Sequence, residues 1–284
     1  MSTQTGTEPR PELDPRAVAF ARLMAIVDRL RAPDGCPWDR KQTIESMAPH
    51  LVEEAHEVLD AVDKNVDEKI AEEAGDVMMT VLLICRIAEE AGRFDLARAA
   101  HASSDKLIHR HPHVFGDVNV ESAEEVLTNW EAIKKKEREG KQEDASALAG
   151  VPVSLPALQR AQRLCGKAVS AGFKWDNVAG AVAKLREEQG ELDTALRASG
   201  LDRDAKAPAT PAQRAAVEHE LGDVMLAAAF LARYLDLDAE KLARDASHRF
   251  ERRFRAMESR LPGPLANHSL PELMSAWQVA KSTE

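Results

Sequence analysis

Two stretches of this chain carry the same motifs in the same order, and that repetition limits the fold more than any other feature. Gly35, Trp38 and Asp39 in GCPWD return as Gly172, Trp175 and Asp176 in GFKWD, 137 residues later. Glu53, Glu54 and Glu57 in EEAHE return as Glu187, Glu188 and Glu191 in EEQGE, 134 residues later. Glu73 and Asp76 in EAGD return as Glu220 and Asp223 in ELGD, at a spacing of 147. Ser122 and Glu125, a capping-box pattern, recur at that spacing as Ser269 and Glu272. So do Trp130 and Lys134, as Trp277 and Lys281. The change from 134 to 147 is a longer loop in the second half, ASGLDRDAKAPATPAQ. One matched pair means little. An ordered series whose spacing changes at a loop is an internal duplication.

Aromatic residues are only 4% of the chain, and its apolar mass is Ala, Leu, Val and Met. That mix favours helices and suits a β-sandwich or barrel poorly. No segment alternates with period two. Helices are expected at about 15–31, 42–64, 67–92, 95–110 and 123–139, then at about 156–171, 177–199, 211–235, 238–261 and 270–282. Asp14-Pro15 starts the first, with Asp as N-cap and Pro at the first helical position. The fold class expected is all-α, with two tandem helical bundles. Their limits are 15–139 and 157–284, with a disordered tail at 1–14 and a small, polar linker at 140–156. Val77, Val81, Ile84 and Ala88 form one apolar stripe, and Val224, Ala228, Leu231 and Leu235 form the matching one. Both stripes are expected to face the core.

The acidic residues are where the chemistry lies. Glu54 and Glu57 project from nearly one face of a helix, as do Glu73 and Asp76 on the next. The short connection DKNVD makes those helices antiparallel neighbours, so four carboxylates can meet in the groove between them. Without a cation they would repel one another and take up protons. With Mg²⁺ they form a hard-oxygen site that leaves positions for phosphate and water. Glu188, Glu191, Glu220 and Asp223 offer the same four groups again. A lone ExxE is ordinarily a solvated face; two on successive helices, duplicated, favour a metal. In each of the four ligand pairs the third position after the leading Glu is Glu or Asp, not His, which argues against a di-iron site and for Mg²⁺, with Mn²⁺ as the substitute.

Basic and aromatic residues recur beside these helices. Lys106 and Arg110 are matched by Arg249 and Arg253, and the Trp130/Lys134 pair by Trp277/Lys281. Such groups can hold phosphate oxygens and stack on a base, which suggests a site for a metal-bound polyphosphate. HRHPHVFGD has no standard zinc spacing, and the second half has RFERRF there without histidine. It reads as a helix end and a turn. No GxxxxGK[ST] loop or GxSxG is present. The three cysteines form neither a disulfide framework nor a CxxC site. The N-terminus has no signal-peptide core and no apolar run spans a membrane, so the cytoplasm is the expected compartment. The net charge of −10 argues against nucleic acid as the main ligand.

With those residues in place, the sequence resembles the MazG family of all-α nucleoside triphosphate pyrophosphohydrolases over nearly all of residues 16–284. GCPWD, the doubled EExxE and ExxD, KLIHRHPHVFGD and the paired WxxxK segments carry the resemblance. It implies Mg²⁺-dependent hydrolysis of NTPs and dNTPs to the monophosphate and pyrophosphate, with broad specificity, in nucleotide-pool house-cleaning, by a homodimer. It assigns Glu188, Glu191, Glu220 and Asp223 to the metal, and Arg249, Arg253, Trp277 and Lys281 to the nucleotide. In the first half those roles fall to Glu54, Glu57, Glu73 and Asp76, then Lys106, Arg110, Trp130 and Lys134. Arg249 departs from the family's usual Lys. Glu187, or Glu53 in the first half, neighbours the ligands and is the candidate base for water attack on the α-phosphorus, or a second-metal ligand.

Residues 1–150 hold 19 basic and 30 acidic side chains, and residues 151–284 hold 19 and 18. A polyanion approaches the second half more readily, which favours that half as the main active site. Two alternatives remain open. One is a narrower dNTP or dUTP pyrophosphatase. The other is a nucleotide-binding regulatory scaffold with vestigial sites, against which both intact carboxylate sets argue.

Overall fold

The computed structural model describes residues 14–140, 144, 146–207 and 209–283. Of the expected tail only Asp14 is among them, and part of the expected linker also lies outside them. The described residues form helices, turns and no strand. They divide into two compact units, Met1–Lys141 and Gln142–Glu284. No helix among them is long and apolar enough to cross a membrane.

Unit 1 contains α1 (Pro15–Arg31), α2 (Ile44–Lys64), α3 (Asp67–Glu90), α4 (Leu96–Arg110), the short α5 (Pro112–Phe115) and α6 (Ala123–Gly140). The Asp14 side chain accepts from the Arg16 amide at 2.9 Å, so the start of α1 is capped as its sequence suggests. Thr43 and Ser46 exchange bonds at the start of α2 (3.0 and 3.1 Å). Asn65 ends it in the left-handed region, φ 54°, where Asn is tolerated best after Gly. This tight return lays α3 along α2. The core is Val27, Met47, Leu82, Leu83 and Ile87, with Leu23, Met24, Met79 and Leu96 packed around it. Arg31, only 7% exposed at its side chain, reaches from α1 to Glu90 of α3 at 2.6 Å.

Unit 2 contains α7 (Ala157–Ser170), α8 (Val178–Ser199), α9 (Pro211–Tyr234), α10 (Ala239–Glu258) and α11 (Leu270–Ser282). α9 packs along α8 and against α7, while α10 packs on α7, α9 and α11. Ala229, Ala232 and Ala239 form the buried centre, with Leu158 and Ala161 against them. Beside it, Trp175 sits edge-on to Phe230 at 4.8 Å. The Tyr234 hydroxyl accepts from the Trp175 amide at 2.7 Å and donates to its carbonyl at 2.9 Å. A Cβ at Gly180 would lie 2.6 Å from the Trp175 side chain, so only glycine fits this wedge. The matching Trp38 is 54% exposed, with its ring in a T-shaped contact with His50, centres 6.1 Å apart.

The helices fall within a few residues of expectation, but the apolar stripes need correction. Ala88 is fully buried, yet Val81 is 39% exposed, and Leu235 and Ala228 are exposed as well. The chain instead buries Leu82, Leu83 and Ile87 in α3, and Ala227, Ala229, Phe230 and Ala232 in α9. The reason is compositional. From Val77 to Ile87 α3 is apolar on almost every side, so periodicity alone cannot choose the face that turns inward.

Candidate functional site

The antiparallel pair α2/α3 brings carboxylates together as the spacing demands. Ligand atoms of Glu54, Glu57 and Glu73 all lie within 4.8 Å of one another, and so do those of Glu188, Glu191 and Glu220 on α8/α9. Three of the four residues expected for each site therefore converge. Asp76 and Asp223 lie outside these three-residue groups. Asp76 still adds to the negative field at Glu54, and Asp223 lies 3.4 Å from His219 one turn before it.

The electrostatics follow from this crowding. Burial, then the charges of Asp76 and Glu73, push the Glu54 carboxyl above the ordinary glutamate range. Burial, then Glu57, does the same to Glu73. Burial, then hydrogen bonding and repulsion from Glu188, raises Glu191. Glu188 moves the other way, because the Lys184 ammonium bonds it at 2.8 Å. Lys184 also holds Glu187 at 2.7 Å. Sequence reasoning passed over Lys184, although its spacing from two glutamates on one helix is visible in the chain.

The candidate bases stand apart from the ligand groups. Glu187 is exposed and tied to Lys184, and Glu53 is exposed with its Oε2 3.6 Å from His50. The two buried thiols, Cys85 and Cys165, are poor nucleophiles. Burial raises Cys85 and pushes Cys165 up to about 11, far from thiolate at neutral pH.

The basic residues are distributed unevenly. Lys106 is exposed on α4, whereas Arg110 is engaged by Glu137 of α6 through two bonds of 3.2 and 2.6 Å. Trp130 of α6 receives the edge of His111, ring centres 4.9 Å apart. After the end of α4, Pro112–Phe115 form the short helix α5, and His111 Nδ1 lies 2.7 Å from the Leu107 carbonyl, so the segment is a helix end and a turn as its sequence suggests. Lys134 is half-buried on α6. In unit 2, Arg249 and Lys281 are exposed and Arg253 is half-buried. Trp277 leans on Phe250, ring centres 5.5 Å apart. Glu137, His111 and Phe250 are contacts that motif spacing did not reveal.

These sites stand in a chain with well-defined relatives. A family model described as the MazG nucleotide pyrophosphohydrolase domain matches residues 42–115, which include Glu54, Glu57, Glu73 and Asp76. The nucleoside triphosphate pyrophosphohydrolase of Escherichia coli (strain K12) is 39% identical over 267 residues, 93% of this chain and 97% of that one. The nucleoside triphosphate pyrophosphohydrolase/pyrophosphatase MazG of Thermotoga maritima is 36% identical over 93% of this chain and 96% of its own. The crystal structure of a mazG-related protein from Thermotoga maritima is 35% identical, spanning 40% of this chain and 98% of that one, with a TM-score of 0.37. With near-complete coverage at this level of identity, the chain belongs to the MazG family of nucleotide pyrophosphohydrolases.

Proposed function

We propose that this protein hydrolyses NTPs and dNTPs to the nucleoside monophosphate and pyrophosphate, using Mg²⁺, with Mn²⁺ as a substitute. The observation that carries the reading is the convergence of three carboxylates within 4.8 Å in each unit. That donor set is all oxygen, which fits Mg²⁺ or Mn²⁺ rather than zinc or iron. The raised Glu54, Glu73 and Glu191 fit it too, since they are carboxylates crowded enough to favour a cation among them. The ligands are Glu188, Glu191, Glu220 and Asp223 in unit 2, and Glu54, Glu57, Glu73 and Asp76 in unit 1. Bound Mg²⁺ supplies charge neutralisation at the phosphoryl oxygens.

The chain's own residues do the rest. Arg249, Arg253 and Lys281 hold phosphate oxygens, and Trp277 covers the nucleotide. Lys106, Arg110, Lys134 and Trp130 have those roles in unit 1, where Arg110 must first leave Glu137. Glu187 or Glu53 takes the proton of the water that attacks the α-phosphorus. Each is solvent-accessible and adjacent in sequence to a ligand. Unit 2 is the main active site, since the acidity lies almost wholly in the other half.

The remaining features complete the reading. The two units are duplicated domains, 15–139 and 157–284, joined by a linker. The chain works as a homodimer in the cytoplasm, without nucleic acid or membrane. Exposed apolar side chains support the dimer: Met78 on α3 and its counterpart Met225 on α9, with Val81 and Leu221 also exposed on those helices. Broad specificity and house-cleaning of the nucleotide pool belong to the same reading, because no base-reading side chain stands out in the sequence. A panel of NTPs and dNTPs, with and without Mg²⁺, tests it. Pyrophosphate released from many substrates with Mg²⁺ alone is expected. Release confined to dUTP would favour the narrower enzyme, and none at all the scaffold.

A further inference from the structure

Each carboxylate group has one lysine beside it, but the two lysines stand on opposite helices. In unit 2 Lys184 is on α8, with Nζ 2.8 Å from Glu188 and 2.7 Å from Glu187. In unit 1 Lys69 is on α3, 2.6 Å from Glu72 and only at the 4.0 Å limit from Glu73. The place matching Lys184 is His50, which contacts Glu53 at 3.6 Å and reaches Glu54 only through longer-range charge. The place matching Lys69 is Ala216. Within the ligand groups the contrast is sharp. Glu188 is bound by an internal ammonium and only 9% exposed at its side chain, while Glu54 and Glu57 have no ion pair among the described residues.

A divalent cation entering unit 2 must therefore break a charge-assisted bond to Glu188 and leave an ammonium nearby. Entering unit 1, it meets carboxylates that repel one another. Resting on the reading of both groups as divalent-cation sites, we propose that Lys184 is a built-in counter-ion that competes with the cation for Glu188. Free Mg²⁺ or Mn²⁺ then loads unit 1 first, and unit 2 loads only when Lys184 is displaced. Lys184 is here a positioning residue that sets cation affinity.

The test is Mn²⁺ binding to the full chain without nucleotide, followed by the electron paramagnetic resonance of free Mn²⁺. The wild type is expected to show one tighter and one weaker site. Glu57→Gln should remove the tighter site and Glu191→Gln the weaker. Lys184→Met should strengthen the weaker site about tenfold or more, Lys184→Gln should do the same, and Lys184→Arg should restore the wild-type pattern. Two equal sites in the wild type, a weaker site unmoved by Lys184→Met and Lys184→Gln, or a tighter site lost in Glu191→Gln would overturn the proposal alone. Absence of Mn²⁺ binding in every variant would overturn it together with the metal reading beneath it.

Discussion

Among the described residues Glu188 is the one buried carboxylate, and it is tolerable there because Lys184 is bonded to it. Glu191, one turn on, is exposed and raised instead. Replacing Glu191 by Ala should remove a metal ligand and lower kcat/KM at least about 100-fold. Glu57→Ala should have the smaller effect, if unit 2 is the main active site; steady-state kinetics on dNTPs compare the two. A structural carboxylate gives a different signature. The Arg31 guanidinium holds Glu90 below the ordinary glutamate range. Its contribution to stability is thus complete above about pH 4.3 and is lost as pH falls through the lowered folded-state value. Glu90→Gln should cost about 1–3 kcal/mol at neutral pH, and denaturant titrations should show that deficit shrinking at acid pH. At this scale the sequence made the glutamates visible, because their spacing is a helix-face argument. It did not make visible which partner each finds, since Glu137 reaches Arg110 from a helix 27 residues away.

The helices themselves were largely legible, as the capping signals show. Asp14, Thr43 and Thr210 cap with their side chains, and at Ser269 the Glu272 carboxylate accepts from the Ser269 amide and hydroxyl. At Ser122 the reciprocal half is shifted, because the Glu125 carboxylate accepts from the Glu121 amide. The inward face of α3 was not legible, for want of a polar side between Val77 and Ile87. Leu83, 2% exposed, turned out to be a centre of the unit 1 core. Truncating it with Leu83→Ala should cost about 2–5 kcal/mol, whereas Val81→Ala, on the outward face, should cost the isolated chain far less. Thermal melts of the two variants check the assignment. The three-residue wedge of Trp175, Phe230 and Tyr234 was also hidden, because GFKWD names only its first member.

For the molecule as a whole, the acidity of unit 1 and the outward apolar faces of α3 and α9 matter most. If those faces meet in a homodimer, Met225→Glu, placing a charge where Met225 is 55% exposed, should yield monomers in light scattering while leaving the helical spectrum unchanged. A dimer that survives Met225→Glu would locate its interface elsewhere. The central claim is cleavage between the α- and β-phosphates by water attack on the α-phosphorus. Its most direct test is hydrolysis of a dNTP with Mg²⁺ in heavy-oxygen water, with the products weighed by mass spectrometry. The label is predicted in the monophosphate, with unlabelled pyrophosphate beside it. Label in the pyrophosphate, or a diphosphate with free phosphate, would contradict it.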